Sequence, residues 1–453
     1  MELSFITLRR SRPVALRAKA DARCVHRGRS ASRRVFHYLL LAMALGWSLG
    51  HQQPADAAEP PPGADVASIH AWLLQGNPRL RAMQAEADAA EARILPAGAL
   101  PDPMASIELR EIDPDQRFFL PGNVGSTTYQ VKQRFPLWGK RELSRDVARR
   151  EAESVRFDRD AAALELLAQA EQAYVRYWHG REAVTVIDRV IALLEQVQDV
   201  AGIRYAVGMA AQQDSIRAQV ERTVMQREKI ERLAQRRQAM AALNAVLGRR
   251  ADAPLAEPGA APTLPVEESS LTAALQTLER GSHPAVQASV AMASAANRKV
   301  ELQRRNRLPD ITVGLGAMQR GDHLDGYELM FEMEIPFQQR ARRERERESR
   351  LLEDAALARS DATRRDLEGE LGTAWARWTG AREQRQLIET TLLTQSDANF
   401  RSALASYQVG EVDFGTLLEA LREWQGADLA RVDALRDELL GAAEVRAIIG
   451  EAR

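Results

Sequence analysis

Cysteine is almost missing: Cys24 stands alone in 453 residues. No disulfide framework and no cysteine-based metal site is available. Histidine is scarce as well. Beyond residue 57 only His70, His179, His283 and His323 remain, and none forms an i,i+4 pair. A dedicated metal site is therefore not expected. His179, beside Trp178, reads as a packing or interface residue, and His283, before Pro284, as a helix start. There is no nucleophile elbow, no phosphate-cradling glycine loop and no paired-carboxylate constellation. Neither an enzyme nor a bound cofactor is expected. Net charge is −1, unevenly spread: residues 1–57 hold 10 Lys+Arg and 3 Asp+Glu, and the remainder holds 52 and 60. A main body of that sign is not a nucleic-acid binder.

Aromatics make up only 5% of the chain, while charged residues reach 28%. Together with the abundance of Ala, Leu, Glu and Arg, this points to long helices. Proline is absent from 137–207 and again from 337–409. At 1.5 Å per residue each stretch gives a helix of about 100 Å, which no compact core needs. Ile187, Val190, Leu194, Val197, Ala201 and Tyr205 recur at threes and fours, a coiled-coil seam. Helices over 78–100 and 209–247, stacked end to end, would roughly match the first long one. The arginine-rich run 340–350 reads as a solvated helix face.

Each long helix follows a stretch with period two. In Tyr327–Phe337, the side chains of Tyr327, Leu329, Phe331, Met333 and Ile335 point one way. Glu328, Glu332 and Glu334 point the other, with Met330 the exception, and Pro336 ends the strand. Earlier, Tyr129, Val131 and Phe135 oppose Gln130, Lys132 and Arg134. Partner strands lie upstream, so strands are expected at about 103–110, 126–135, 310–317 and 327–335. The Gly-, Pro- and Asp-rich segments 111–125 and 318–326 suit exposed hairpin loops. Nine or ten residues with one apolar face is the length that crosses a bilayer in a tilted barrel. Four strands alone cannot close a barrel, so two soluble hairpins on a helical protein remain an alternative.

At the start, residues 1–34 are basic and Val35–Leu49 is an apolar run of signal-peptide length. Ala55-Asp56-Ala57 supplies a small-x-small cleavage site, so 1–57 is expected to direct export; an N-terminal membrane anchor is the alternative.

The chain also repeats itself. Asn77-Pro78 answers to His283-Pro284, Trp178 to Trp378, and Tyr205-Ala206-Val207-Gly208 to Tyr407-Gln408-Val409-Gly410. The two tyrosines lie 202 residues apart, and the other offsets drift by only a few residues. The expected layout is a first repeat over 58–251, a Pro-rich linker over 252–265 and a second repeat over 266–453.

These features resemble the TolC family of outer-membrane efflux channels. They are the duplication, a strand pair before each proline-started long helix, and the segments 205–221 and 407–423 with aromatic-x-Val-Gly before a polar turn. FPLWGKREL at Phe135–Leu143 is similar to the subgroup serving heavy-metal pumps. The resemblance implies a homotrimer whose twelve strands close one barrel in outer-membrane lipid. Its helices would form a hollow periplasmic cylinder. It implies two partners at the far end, a periplasmic adaptor and a proton-driven inner-membrane pump of the resistance-nodulation-division type. The fold expected is mainly α with a small β part. The function implied is a passive exit duct of a tripartite efflux system, with heavy-metal cations as cargo. The alternatives are a soluble periplasmic coiled-coil scaffold or adaptor, and the same duct serving drug efflux or protein secretion. The residues implied at the narrow tip and docking rim are Tyr205, Gly208, Asp214 and Arg217 in the first turn, and Tyr407, Gly410, Thr416 and Glu419 in the second. A pair between Arg217 and Glu419 is expected to hold the tip shut. The lipid-facing set is Tyr129, Val131, Phe135, Tyr327, Leu329, Phe331, Met333 and Ile335.

Overall fold

The computed structural model describes residues 61–113, 119–267, 270–280 and 283–450. The export segment expected at 1–57 lies outside the described residues.

Two helices set the length. α4, Lys140–Ala206, runs 67 residues without a break, about 100 Å. Its counterpart in the second repeat comes in two pieces. α8, Gln339–Leu387, and α9, Leu393–Val409, are joined by a π turn at Ile388–Leu392. The uninterrupted helix expected over 337–409 is corrected there. Ile388 stays buried through the π turn, and the Thr390 hydroxyl donates to the Gln386 carbonyl. Such one-turn bulges insert a residue without ending the helix, so no proline or glycine marks them.

Shorter helices fill the layer in stacked pairs. In the first repeat α5, Gln212–Val246, abuts α2, Pro78–Ala92, which leads into one turn, α3, Ile94–Ala97. The helix expected to run unbroken to Leu100 thus ends earlier. In the second repeat α10, Phe414–Ile449, abuts α7, Pro284–Arg305. Each joint uses the residue before the proline. Asn77 caps α2 through Arg79 N–H at 2.8 Å and donates to the Val246 carbonyl at the end of α5, also at 2.8 Å. His283 caps α7 by accepting from Ala285 N–H at 3.3 Å, beside the Ala447 backbone at the end of α10. Burial pushes the His283 imidazole below its usual range, which keeps it neutral and able to accept. The Asn-Pro and His-Pro motifs are therefore splices that satisfy two helix ends at once.

The core lies between helices. Val190, Leu194, Val197 and Ala201 are buried against Phe400, Leu417 and Leu421. The expected seam stops there, because Tyr205 is half exposed. α1, Val66–Gly76, and the extended linker cover one side of α4, where the Tyr174 and Tyr177 hydroxyls donate to the Ala64 and Ala256 carbonyls. α6, Leu271–Arg280, buries Ala274 and Leu278 in a cluster with Leu371 and Trp375 of α8.

The four strands form one antiparallel sheet in chain order: β1 (Met104–Arg110), β2 (Ser126–Phe135), β3 (Ile311–Arg320) and β4 (His323–Met333). The loop expected over 318–326 is a two-residue hairpin at Gly321 and Asp322. β3 continues through Gln319 and Arg320, and a register shift beside Met318 absorbs the extra residue. Gly321 takes the left-handed φ of +58° that a tight hairpin requires. Strand and helix do not join directly. Trp138 and Gly139 both have positive φ, so α4 starts at Lys140 rather than at Leu137.

Candidate functional site: two helix turns and one apolar sheet face

The first turn, between α4 and α5, ends α4 with Gly208 at φ +76°, and Met209 N–H returns to the Arg204 carbonyl at 2.8 Å. The second, between α9 and α10, ends with Gly410 at φ +90°, and Glu411 N–H returns to the Ser406 carbonyl at 2.9 Å. Both are glycine C-caps that satisfy orphan carbonyls. Asp413 then caps α10, accepting from Thr416 N–H at 2.8 Å and from the Thr416 hydroxyl at 3.1 Å. Those bonds hold its carboxyl below the usual range.

One side chain ties the two turns together. Tyr407 is buried, and its ring packs edge-on against Phe414 at 5.5 Å. The Arg204 guanidinium also lies over the ring, 4.4 Å from its centroid. Arg204 also donates to the carbonyls of Tyr407 and Met209. The Tyr407 hydroxyl donates to Asp214 in the first turn of α5 at 3.1 Å. Burial, reinforced by the Asp214 charge, pushes the phenol up to about 12, so it stays a donor at any physiological pH.

Of the expected tip residues, the structure brings Asp214 and Tyr407 into contact across the two repeats. Tyr205 is exposed, and Thr416 serves its own helix cap. Among the described residues no ion pair joins Arg217 to Glu419, contrary to the expectation. Arg217 acts on Asp413 by charge, Glu419 acts on Arg422, and Arg422 is itself bridged to Glu221 at 2.7 Å. Sequence reasoning missed Arg204. It sits one residue before the flagged Tyr205, and its partners lie 203 residues on, where no local spacing could reveal them.

The second candidate region is the sheet. Cross-strand register puts Ile107, Tyr129, Ala317 and Tyr327 in one row and Ala105, Val131, Leu315 and Leu329 in the next. Phe135, Ile311 and Met333 share the same side. The face is exposed: Tyr327 is 86% and Phe331 70% accessible. Ile335 lies just beyond the end of β4 and is exposed too. So large an open apolar face is a surface made for an apolar surrounding. The opposite face carries Gln130, Lys132, Glu328 and Glu332. Met330, which breaks the alternation, lies over Gly314, and Gln130 donates to its sulfur at 3.6 Å. Among the described residues, β1 and β4 each have one unpaired edge.

Comparison with known proteins agrees with this geometry. A sequence profile of the family described as "Outer membrane efflux protein" matches twice, over residues 72–249 and 275–451. The cobalt-zinc-cadmium resistance protein CzcC of Cupriavidus metallidurans is 25% identical over 435 residues, 92% of this chain and 100% of that one. Among solved structures, the outer-membrane channel OprN superposes with a TM-score of 0.71 at 18% identity, covering 85% of this chain and 90% of its own. CusC gives 0.71 at 15% identity over 85% and 92%, and VceC of Vibrio cholerae gives 0.70 at 18% over 84% and 95%. The channel fold, a helical barrel continued by a β-barrel, is shared with proteins that are not enzymes. The chain belongs to the outer membrane efflux protein family, and its place is the outer membrane with a long helical part in the periplasm.

Proposed function

We propose that three copies of this chain form the passive exit duct of a tripartite efflux system. A periplasmic adaptor and a proton-driven inner-membrane pump would deliver cargo to the tip formed by the two helix turns. The observation that carries the reading is the sheet. It has one apolar face and two open edges. Unpaired strand edges are not tolerated in lipid. Three sheets joined β4 to β1 supply twelve strands and remove every edge. The exposed apolar residues then face lipid, and Glu328, Glu332 and Lys132 line the lumen.

The tip adds a gate. Arg204 and Asp214, both only partly buried, join the first repeat to the second through the buried Tyr407 ring, so a docked partner can reach the charged ends of the clasp and release it at modest cost. Tyr205 and Val207 are left exposed beside it, suited to contact with an adaptor. Heavy-metal cations are the cargo this reading favours, because the whole length of CzcC aligns with this chain. The test is expression of the full chain with fractionation, heat-modifiability gels and native mass measurement. A trimer in the outer membrane is expected, and a soluble periplasmic monomer would overturn the duct. Cargo is read separately: deleting the gene should raise cellular cobalt, zinc or cadmium. Unchanged metal with raised drug accumulation would reassign the cargo and leave the duct intact.

A further inference from the structure

The arginine-rich start of α8 has a second use that the duct itself does not call for. Residues 340–350 hold six arginines and three glutamates. They follow Met333, Ile335 and Phe337, large apolar side chains exposed at the foot of the lipid-facing sheet; Phe337 is 84% accessible. The side of α8 that each arginine occupies follows from one landmark. Arg345 lines a polar pocket of about 240 Å³ beneath the polar face of the sheet, with Arg134 and Glu334. At 3.6 residues per turn, a step of two residues turns the helix most of the way to its opposite side. Arg343 and Arg347 therefore lie on the side away from that pocket, continuous with the apolar face. Arg340 and Arg350 complete a row spaced three, four and three, the signature of one helix face.

The row is only partly neutralised. Arg340 and Arg343 make no ion pair among the described residues, whereas Arg347 approaches Glu344 at 3.8 Å and Arg350 is held by Glu346 at 2.5 Å. From Arg340 to Arg347 the rise is about 10 Å, enough to span the roughly 5–7 Å polar headgroup layer of one leaflet. Trp138, half exposed, anchors its amphipathic indole by an N–H bond to the carbonyl of Pro309 at 2.8 Å, and Pro309 lines the same pocket as Arg345.

We propose that Arg340, Arg343 and Arg347 form a headgroup-binding row that takes the phosphates of anionic lipid in the periplasmic leaflet. Two observations choose this occupant. The exposed row follows directly on the exposed apolar side chains Met333, Ile335 and Phe337, and its charge complements phosphate. Guanidinium groups suit phosphate oxygens, and their long stems can lie along apolar surface.

The test uses the full chain reconstituted in phosphatidylcholine vesicles with or without phosphatidylglycerol, with bound lipid read by native mass spectrometry. Wild type should retain phosphatidylglycerol over phosphatidylcholine. In the triple variant Arg340→Gln, Arg343→Gln, Arg347→Gln that preference should fall about fivefold or more. Arg345→Gln, on the pocket side, should leave it unchanged, and lysine at all three positions should restore most of it. Heat-modifiability shows that the trimer is intact in each variant, so a failed duct and a failed row are told apart. Should the triple variant not assemble, wild type alone still decides: its preference must shrink as salt rises from about 0.05 to about 0.5 M. A preference that survives the triple substitution, falls equally with Arg345→Gln, or ignores salt overturns the proposal and leaves the row a solvated helix face.

Discussion

Replacing Tyr407 with phenylalanine isolates one bond of the tip clasp. The ring remains against Phe414 and beneath Arg204, so packing and the cation–π contact survive. What disappears is the hydroxyl bond to the Asp214 carboxylate at 3.1 Å. Hydrogen bonds to charged groups contribute about 1.5–3 kcal/mol when well buried. Asp214 is only half buried, and water can take the vacated place, so about 1 kcal/mol per protomer is the fair figure. Three protomers acting together give about 3 kcal/mol, roughly a hundredfold in the ratio of closed to open tips. In planar bilayers, Tyr407→Phe trimers should conduct more than wild type and open more often. Asp214→Asn should do the same, and the double variant should add little to either, because both delete one bond. Removing the ring instead, as Tyr407→Ala, should cost about 3–5 kcal/mol and impair assembly. Unchanged conductance in Tyr407→Phe, or full additivity with Asp214→Asn, would refute the clasp as a gate.

On the sheet, Phe331→Arg should cost about 2–4 kcal/mol and reduce trimer yield, whereas Glu332→Arg on the opposite face should be mild; equal losses on a heat-modifiability gel would count against the lipid-facing assignment. At the turns, alanine at Gly208 meets open space and should cost about 1 kcal/mol from its positive φ alone. Alanine at Gly410 must also displace the Arg204 guanidinium, 3.2 Å from the new Cβ, so its thermal midpoint should fall further. Between α4 and α10, a hydrogen bond from His179 at 2.7 Å and the charge of Arg436 hold Asp433 below the usual carboxylate range, against its burial. Its stabilisation is complete above the ordinary value near 3.9 and is lost as pH falls through the lower folded-state value. Wild type should therefore lose stability below about pH 4 more steeply than Asp433→Asn.

How much of this was legible in the sequence depended on range. Period-two and heptad patterns are set by neighbours within a few residues, so the apolar sheet face and the seam from Ile187 to Ala201 were readable. Element ends were less so. Trp138 and Gly139 adopt left-handed backbone before α4, and a tryptophan there gives no warning. The π turn at Ile388–Leu392 left no mark because an inserted residue inside a good helix changes no propensity. Around Gly321 the Gly, Asp and His residues read as loop chemistry, whereas the ladder carries Gln319, Arg320, His323 and Leu324 as strand. The clasp was beyond reach altogether: its three side chains come from positions 204, 214 and 407.

Duplication made one expectation too simple. Matching repeats suggested two equivalent tip tyrosines, yet Tyr407 is 1% and Tyr205 48% exposed. The sequence difference that separates them is small and local. Tyr407 is served by a cation at 204 and a carboxylate at 214, both from the first repeat. The reciprocal positions, which would serve Tyr205, hold Ser406 and Thr416. A serine cannot lie over a ring as a cation, and the Thr416 hydroxyl is already given to Asp413. With neither partner, nothing offsets the cost of burying the Tyr205 hydroxyl, so it stays in water. The clasp consequently occurs once per protomer, and a trimer has three of them rather than six. Introducing Arg at 406 and Asp at 416 should draw Tyr205 inward, which tyrosine fluorescence quenching by acrylamide would register. Six clasps should then hold the tip shut more firmly than three, with conductance below that of wild type. If Tyr205 stays accessible in that variant, the asymmetry has a cause other than these two partners.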